Sequence, residues 1–200
     1  MKIFKSFLFF ILVAFFAAIT VGILYIDLQF DTVGLKEDSL TEYSQAIYLF
    51  MTAAIFFYIS KKKANLKQAC VLISAFFIVM LIRESDAYFD KISHGSWVYF
   101  ALFVTFIAIF YSLKTAKFNG LSNQLYCYTQ SPSYGLMLAG LITILVFSRL
   151  FGTGEIWHIV LKDHYLRIVK DIIQESLESF GYTLCFLSSL WFAKDKRNLN

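Results

Sequence analysis

The sequence is short of the residues that break, staple or activate a soluble fold. A single proline, Pro132, stands in 200 residues, and with 23 phenylalanines present this excludes disordered or low-complexity material. Three cysteines, Cys70, Cys127 and Cys185, have no C-x-x-C spacing, so neither a disulfide framework nor a metal pattern emerges. Cys70 and Cys185 sit in apolar runs and read as small core residues, whereas Cys127 is expected in a cytoplasmic loop, where a thiol stays reduced. The three histidines, His94, His158 and His164, make neither H-E-x-x-H nor H-x-x-x-H. The net charge is +4, but no basic stripe interleaved with aromatics occurs, so nucleic acid is excluded as a partner. No internal repeat is evident.

What is present is apolar residue: 58% of the chain, with 19% aromatic. A soluble core of this length does not need so much, but a lipid-facing surface does. A bilayer core about 30 Å thick takes roughly 20 apolar residues per helix. Six segments fit, at approximately 6–28, 40–60, 67–84, 97–113, 133–151 and 172–193. The expected fold is therefore all-α, a polytopic integral membrane bundle of about six helices forming one domain over residues 1–200. Lys2 and Lys5 before "FLFFILVAFFAAITVGILYI" look like a signal peptide, but the apolar run is long and lacks a small-x-small cleavage site. An uncleaved span is expected there.

Lysine and arginine set the orientation. With the N-terminus in the cytoplasm, the inner segments collect 11 of the 18 basic residues: Lys2, Lys5, Lys61, Lys62, Lys63, Lys67, Lys114, Lys117, Lys194, Lys196 and Arg197. The acids, which play no part in that assignment, agree with it, since only Asp195 of the 14 falls inside. Both termini are expected in the cytoplasm, the location is the inner (cytoplasmic) membrane, and the polar groups face the extracytoplasmic side. Ser39 and Glu42 have the spacing of a capping box at the start of the second span. Between the fifth and sixth spans, Ile156, Ile159, Val160 and Tyr165 (or Leu166) recur at helical spacing, which predicts an amphipathic extracytoplasmic helix on or above the outer surface, before the last span and continuous with it.

Two polar stretches stand out. In "RESDAYFDKISHGSW", a helix continuing past the third span would put Arg83, Asp86 and Asp90 on one face, with Glu84 about 100° away. In "VKDIIQESLESFGYTLCF", Asp171, Glu175, Glu178 and Tyr182 follow at steps of four, three and four, again one face. Glu178 should lie a turn or more inside the membrane, where an ionised carboxylate costs roughly 2.5–3.5 kcal/mol unless paired or protonated. Arg149, at the outer end of the fifth span, is the natural partner and Arg83 the second. These residues suggest an outward-facing pocket with Tyr88, Trp97, Trp157 and Tyr182 as walls. In an enzyme acting on a lipid or lipid-linked substrate, Glu175, Glu178, Glu84 and Asp86 would be the acid/base groups. Arg83, Arg149 and Tyr182 would bind substrate there. Asp90, His94 and His158 are the candidate ligands for a divalent metal, which is not the favoured cofactor. Membrane lipids are the expected partners. The alternatives are a non-catalytic membrane partner or assembly protein, including a homo-oligomer, and a component of a transporter or channel.

Overall fold

A backbone deprived of water must satisfy its own N–H and C=O groups, and long apolar runs without proline do so as helices. The computed structural model describes residues 2–30 and 39–195, and over them the chain is helical with no strand. The helices are α1 (Lys2–Phe30), α2 (Leu40–Lys62), α3 (Lys67–Glu84), α4 (Asp86–Asp90), α5 (Trp97–Thr129), α6 (Tyr134–Ile142), α7 (Ser148–Phe151), α8 (Gly154–Leu161) and α9 (Arg167–Lys194). Short 3-10 turns occupy Ala64–Leu66 and Lys162–His164, and a π-helical segment, Thr143–Phe147, joins α6 to α7.

Five helical stretches are long and apolar enough to cross a membrane: Phe7–Phe30, Leu40–Lys62, Ala64–Glu84, Trp97–Thr129 and Tyr134–Phe151. They correspond to the first five expected spans. The sixth lies within α9, a single continuous helix that falls outside those five. Its first half carries Arg167, Lys170, Asp171, Glu175 and Glu178, which lower its hydropathy. Lys196 and Arg197, counted in the charge balance, lie outside the described residues.

The chain divides into two compact units, Met1–Gln45 with Leu138–Leu187, and Ala46–Met137 with Ser188–Asn200. In the first, α6 and α9 approach backbone to backbone. A Cβ on Gly140 would lie 2.8 Å from the Gly181 carbonyl and 2.7 Å from Cys185 Sγ, and a Cβ on Gly181 would run into Ile144. Two small residues facing each other are what permit this approach, as in many membrane helix pairs. Thr20 of α1 meets Thr183 of α9 hydroxyl to hydroxyl at 3.2 Å.

The start of α2 is capped from two sources. Glu42 N–H donates to Ser39 Oγ, which is the Ser39 half of the capping box. Leu40 and Thr41 N–H donate to the Asp27 carboxylate of α1 at 3.1 and 2.7 Å. Thr41 Oγ1 also donates to Asp27. Asp27 thus supplies from another helix the acceptors that a helix N-terminus lacks.

The second unit is centred on rings. Phe56 stacks near Phe77 and Phe192, with centroids 6.3 and 5.8 Å away, and Tyr128 meets Phe56 and Phe192 edge-on at 5.7 and 4.9 Å. Gln124 of α5 accepts from Gln68 and Ala69 N–H, capping α3 as Asp27 caps α2.

Three local expectations are corrected here. The third helix does not run on through the motif; it ends at Glu84, Ser85 leaves helical geometry (φ −98, ψ 22), and the short α4 follows. The helix expected to stop near residue 113 instead breaks at Lys117 (φ 55, ψ 169) and resumes to Thr129, so Cys127 is exposed on a helix and not in a loop. Polar residues such as Asn119, Asn123 and Gln124 imitate a loop, while Leu121 and Tyr128 are buried by tertiary packing. Helix α8 forms but is not continuous with the last one, because Lys162 takes a positive φ of 48°, Tyr165 is extended and Leu166 lies outside any helix before α9 begins.

Candidate functional site: a polar cluster along the first half of α9

Glutamates spaced three apart on α9 place Glu175 and Glu178 on one side of the helix. Glu178 is only 2% exposed, and its Oε1 receives three neighbours within the first unit. Arg149 Nη2 approaches to 2.9 Å, Ser148 Oγ to 3.1 Å and Gln174 Nε2 to 3.4 Å. Nη2 is buried and makes no aligned hydrogen bond among the described residues, so the Arg149 approach is one of charge. The rest of the Arg149 side chain is 40% exposed. Ser148 Oγ also lies 2.5 Å from the Ile144 carbonyl, so its single hydrogen is shared between two acceptors. The π-helical segment immediately precedes Ser148 and Arg149. One extra residue in that turn changes the register with which both face α9, the local use to which π-bulges are commonly put.

Glu175 is half-buried and held from α2. Gln45 Nε2 donates 2.8 Å to Glu175 Oε2 and 2.8 Å to Ser179 Oγ. Gln45 is fully buried, and its Oε1 has no hydrogen-bond partner among the described residues. One turn earlier, Asp171 is flanked by Lys170 Nζ at 3.2 Å and Arg167 Nε at 3.6 Å. Tyr182, one turn beyond Glu178, is 1% exposed and belongs to the core of the first unit.

No family model, curated protein or solved structure matches this chain.

The other candidates lie apart along the chain. Arg83 and Glu84 are half-buried and Asp86 is exposed, all three in the second unit, whereas Arg149, Glu175, Glu178 and Tyr182 belong to the first. Asp90 organises its own loop: Oδ2 pairs with His94 Nδ1 at 2.9 Å and Oδ1 accepts from Gly95 N–H at 2.8 Å. Gly95 there has a φ of 74°, which suits glycine. His158 stacks on Tyr165 with centroids 3.7 Å apart. Among the described residues, no three of the histidines, cysteines and acids come together as ligands for a metal ion. Trp157 Nε1 donates to the Phe151 carbonyl.

Sequence reasoning missed Gln45, Ser148, Gln174 and Ser179, the uncharged members of the cluster. Gln174 had a signal, standing four residues before Glu178 on the same helix. Gln45 had a weaker one, as an amide opening the apolar run "AIYLFMTAAIFF".

A separate buried charge occurs in the second unit. Lys63, between α2 and α3, is 6% exposed, with Nζ 5.2 Å above the Phe192 ring and without a hydrogen-bond partner among the described residues. Burial pushes its amine below the usual lysine range, while the charge of Asp195 opposes that shift.

Proposed function

We propose that this chain is a six-span inner-membrane protein with both termini in the cytoplasm, acting as a non-catalytic partner or assembly subunit within the lipid. In this reading the acids of α9 hold helices together. The carrying observation is the engagement of Glu178, buried to 2% exposure against Arg149, Ser148 and Gln174. A general acid or base has to present its carboxyl to a substrate. This one presents Oε1 to three protein groups, an arrangement that suits polar residues acting as glue between helices. Wide apolar faces on α1 (Phe4, Phe7, Phe10, Phe15) and α5 (Phe103, Phe106, Phe110) are exposed and available to lipid or to another membrane chain.

Extraction in polymer-bounded patches of native membrane, followed by native mass spectrometry, tests the reading. The expected species is larger than one 23.1 kDa chain, either a homo-oligomer or a complex with a second membrane protein. A bare monomer in every extraction would overturn the assembly role.

A second reading, an enzyme on a lipid or lipid-linked substrate at the outer leaflet, draws on one observation. The Arg149 side chain is 40% exposed beside a buried carboxylate, which leaves guanidinium donors for a phosphate headgroup. Retention of a phosphate-bearing lipid by the native chain, lost in Arg149→Gln, would favour this reading.

A further inference from the structure

The 33 residues of α5 pose a problem of length. A straight helix of that size would run about 50 Å, while a bilayer core is about 30 Å thick. The break at Lys117 resolves it. Residues 97–116 suffice for one span, and residues 118–129 fold against the second unit with Leu121 and Tyr128 buried and Gln124 capping α3. The other side of this second half is exposed, Phe118 to 74% and Tyr126 to 64%.

Lysines gather at the same end. The segments 57–70, 110–133 and 188–195 contain Lys61, Lys62, Lys63, Lys67, Lys114, Lys117 and Lys194, with Asp195 as the one acid. Three of these lysines lie back along their own helices. Lys61 Nζ is 4.9 Å from the Phe57 ring, Lys62 Nζ 5.7 Å from Tyr58 and Lys114 Nζ 5.9 Å from Phe110. Each ammonium thus lies over a ring one turn back on its own helix, a cation–π contact that sets positive charge beside aromatic side chains where the apolar runs end. The pattern therefore marks a plane at this end of the unit, with positive charge on it and aromatic side chains beside it.

We propose that this end of the second unit is a binding surface for anionic phospholipid headgroups, with residues 118–129 lying in the interface. Lys61, Lys62, Lys114 and Lys117 pair with lipid phosphates, while Phe118 and Tyr126 enter between headgroups. Clusters of four or more lysines beside a membrane helix attract acidic lipids in this way. The inference rests on the membrane-spanning reading above.

Trp191, 37% exposed on α9 beside Phe192, is a built-in reporter at this end. The Trp97→Phe/Trp157→Phe chain leaves it as the sole tryptophan and can be reconstituted in nanodiscs containing brominated phosphatidylglycerol or brominated phosphatidylcholine. The proposal expects the anionic lipid to quench Trp191 at about one-fifth the mole fraction needed by the zwitterionic one. That preference should vanish in Lys61→Gln/Lys62→Gln/Lys114→Gln/Lys117→Gln, and in about 1 M salt, where the screening length is ~3 Å. Equal quenching by the two lipids, or a preference that survives the lysine substitutions, would overturn the headgroup site and leave the membrane reading standing. Absence of quenching by either lipid would overturn both.

Discussion

Glu178 and Arg149 are unequal partners, and the inequality has consequences. Glu178 is buried, whereas much of the Arg149 side chain is exposed. Removing Arg149 leaves a carboxylate without its countercharge in a dry place, a situation that typically costs about 3–5 kcal/mol. Removing Glu178 leaves an arginine that can turn to solvent, so the loss is confined to hydrogen bonding and packing, about 1–3 kcal/mol. Thermal unfolding in detergent should therefore rank Arg149→Ala below Glu178→Ala. The reverse order would mean that Glu178 is not the buried charge described here. Lys63 makes a prediction in pH. Its folded amine titrates below the unfolded value of about 10.4, so between the two the unfolded chain binds the extra proton. Its contribution makes stability rise with pH through that window, and the penalty for burying the charge returns as pH falls through the folded pKa. Lys63→Met should flatten the rise; an unchanged pH profile would show the amine to be solvated.

At the scale of elements, helix joints matter more than helix interiors. Gly140 and Gly181 let α6 and α9 touch, and a methyl on either meets backbone or sulfur well inside contact distance. Gly140→Ala or Gly181→Ala should each cost about 1–3 kcal/mol, read as a lower midpoint in thermal unfolding. A surface glycine such as Gly135, with nothing near its Cβ direction, is the matched control. Asp27→Ala would orphan the Leu40 and Thr41 N–H groups, with an expected cost of about 1–2 kcal/mol and faster amide exchange in the first turn of α2. Hydrophobic runs made the long helices legible in the sequence, because an apolar segment of twenty residues has few other ways to satisfy its backbone. The joints were not legible. Whether Asp27 of α1 caps α2, or Gln124 caps α3, depends on which helices become neighbours, and no local pattern encodes that. The second half of α5 was lost for a related reason: Asn119, Asn123 and Gln124 read as loop, while Leu121 and Tyr128 are buried by partners the local sequence does not name.

For the whole molecule, the all-helical architecture and five helices of membrane-crossing length follow from composition and spacing. The division into two compact units does not, since it reflects which helices pack and not where polarity changes along the chain. The depth of a charge within an apolar helix was readable, and it drew attention to Glu178 and Arg149. The amide and hydroxyl groups around them, Gln45, Ser148, Gln174 and Ser179, were not, because uncharged polar residues are common on membrane helices and carry no sign that calls for a partner. These neighbours favour a structural clamp over a reactive centre. The most direct test compares Arg149→Met, Glu178→Leu and the double substitution by thermal unfolding in nanodiscs. A clamp predicts that both single variants are destabilised and that the double variant, with an apolar pair in place of an ionic one, returns to within about 1 kcal/mol of the native chain. Single variants as stable as the native protein would contradict the account, leaving the charges kept for a purpose other than holding α9 in place.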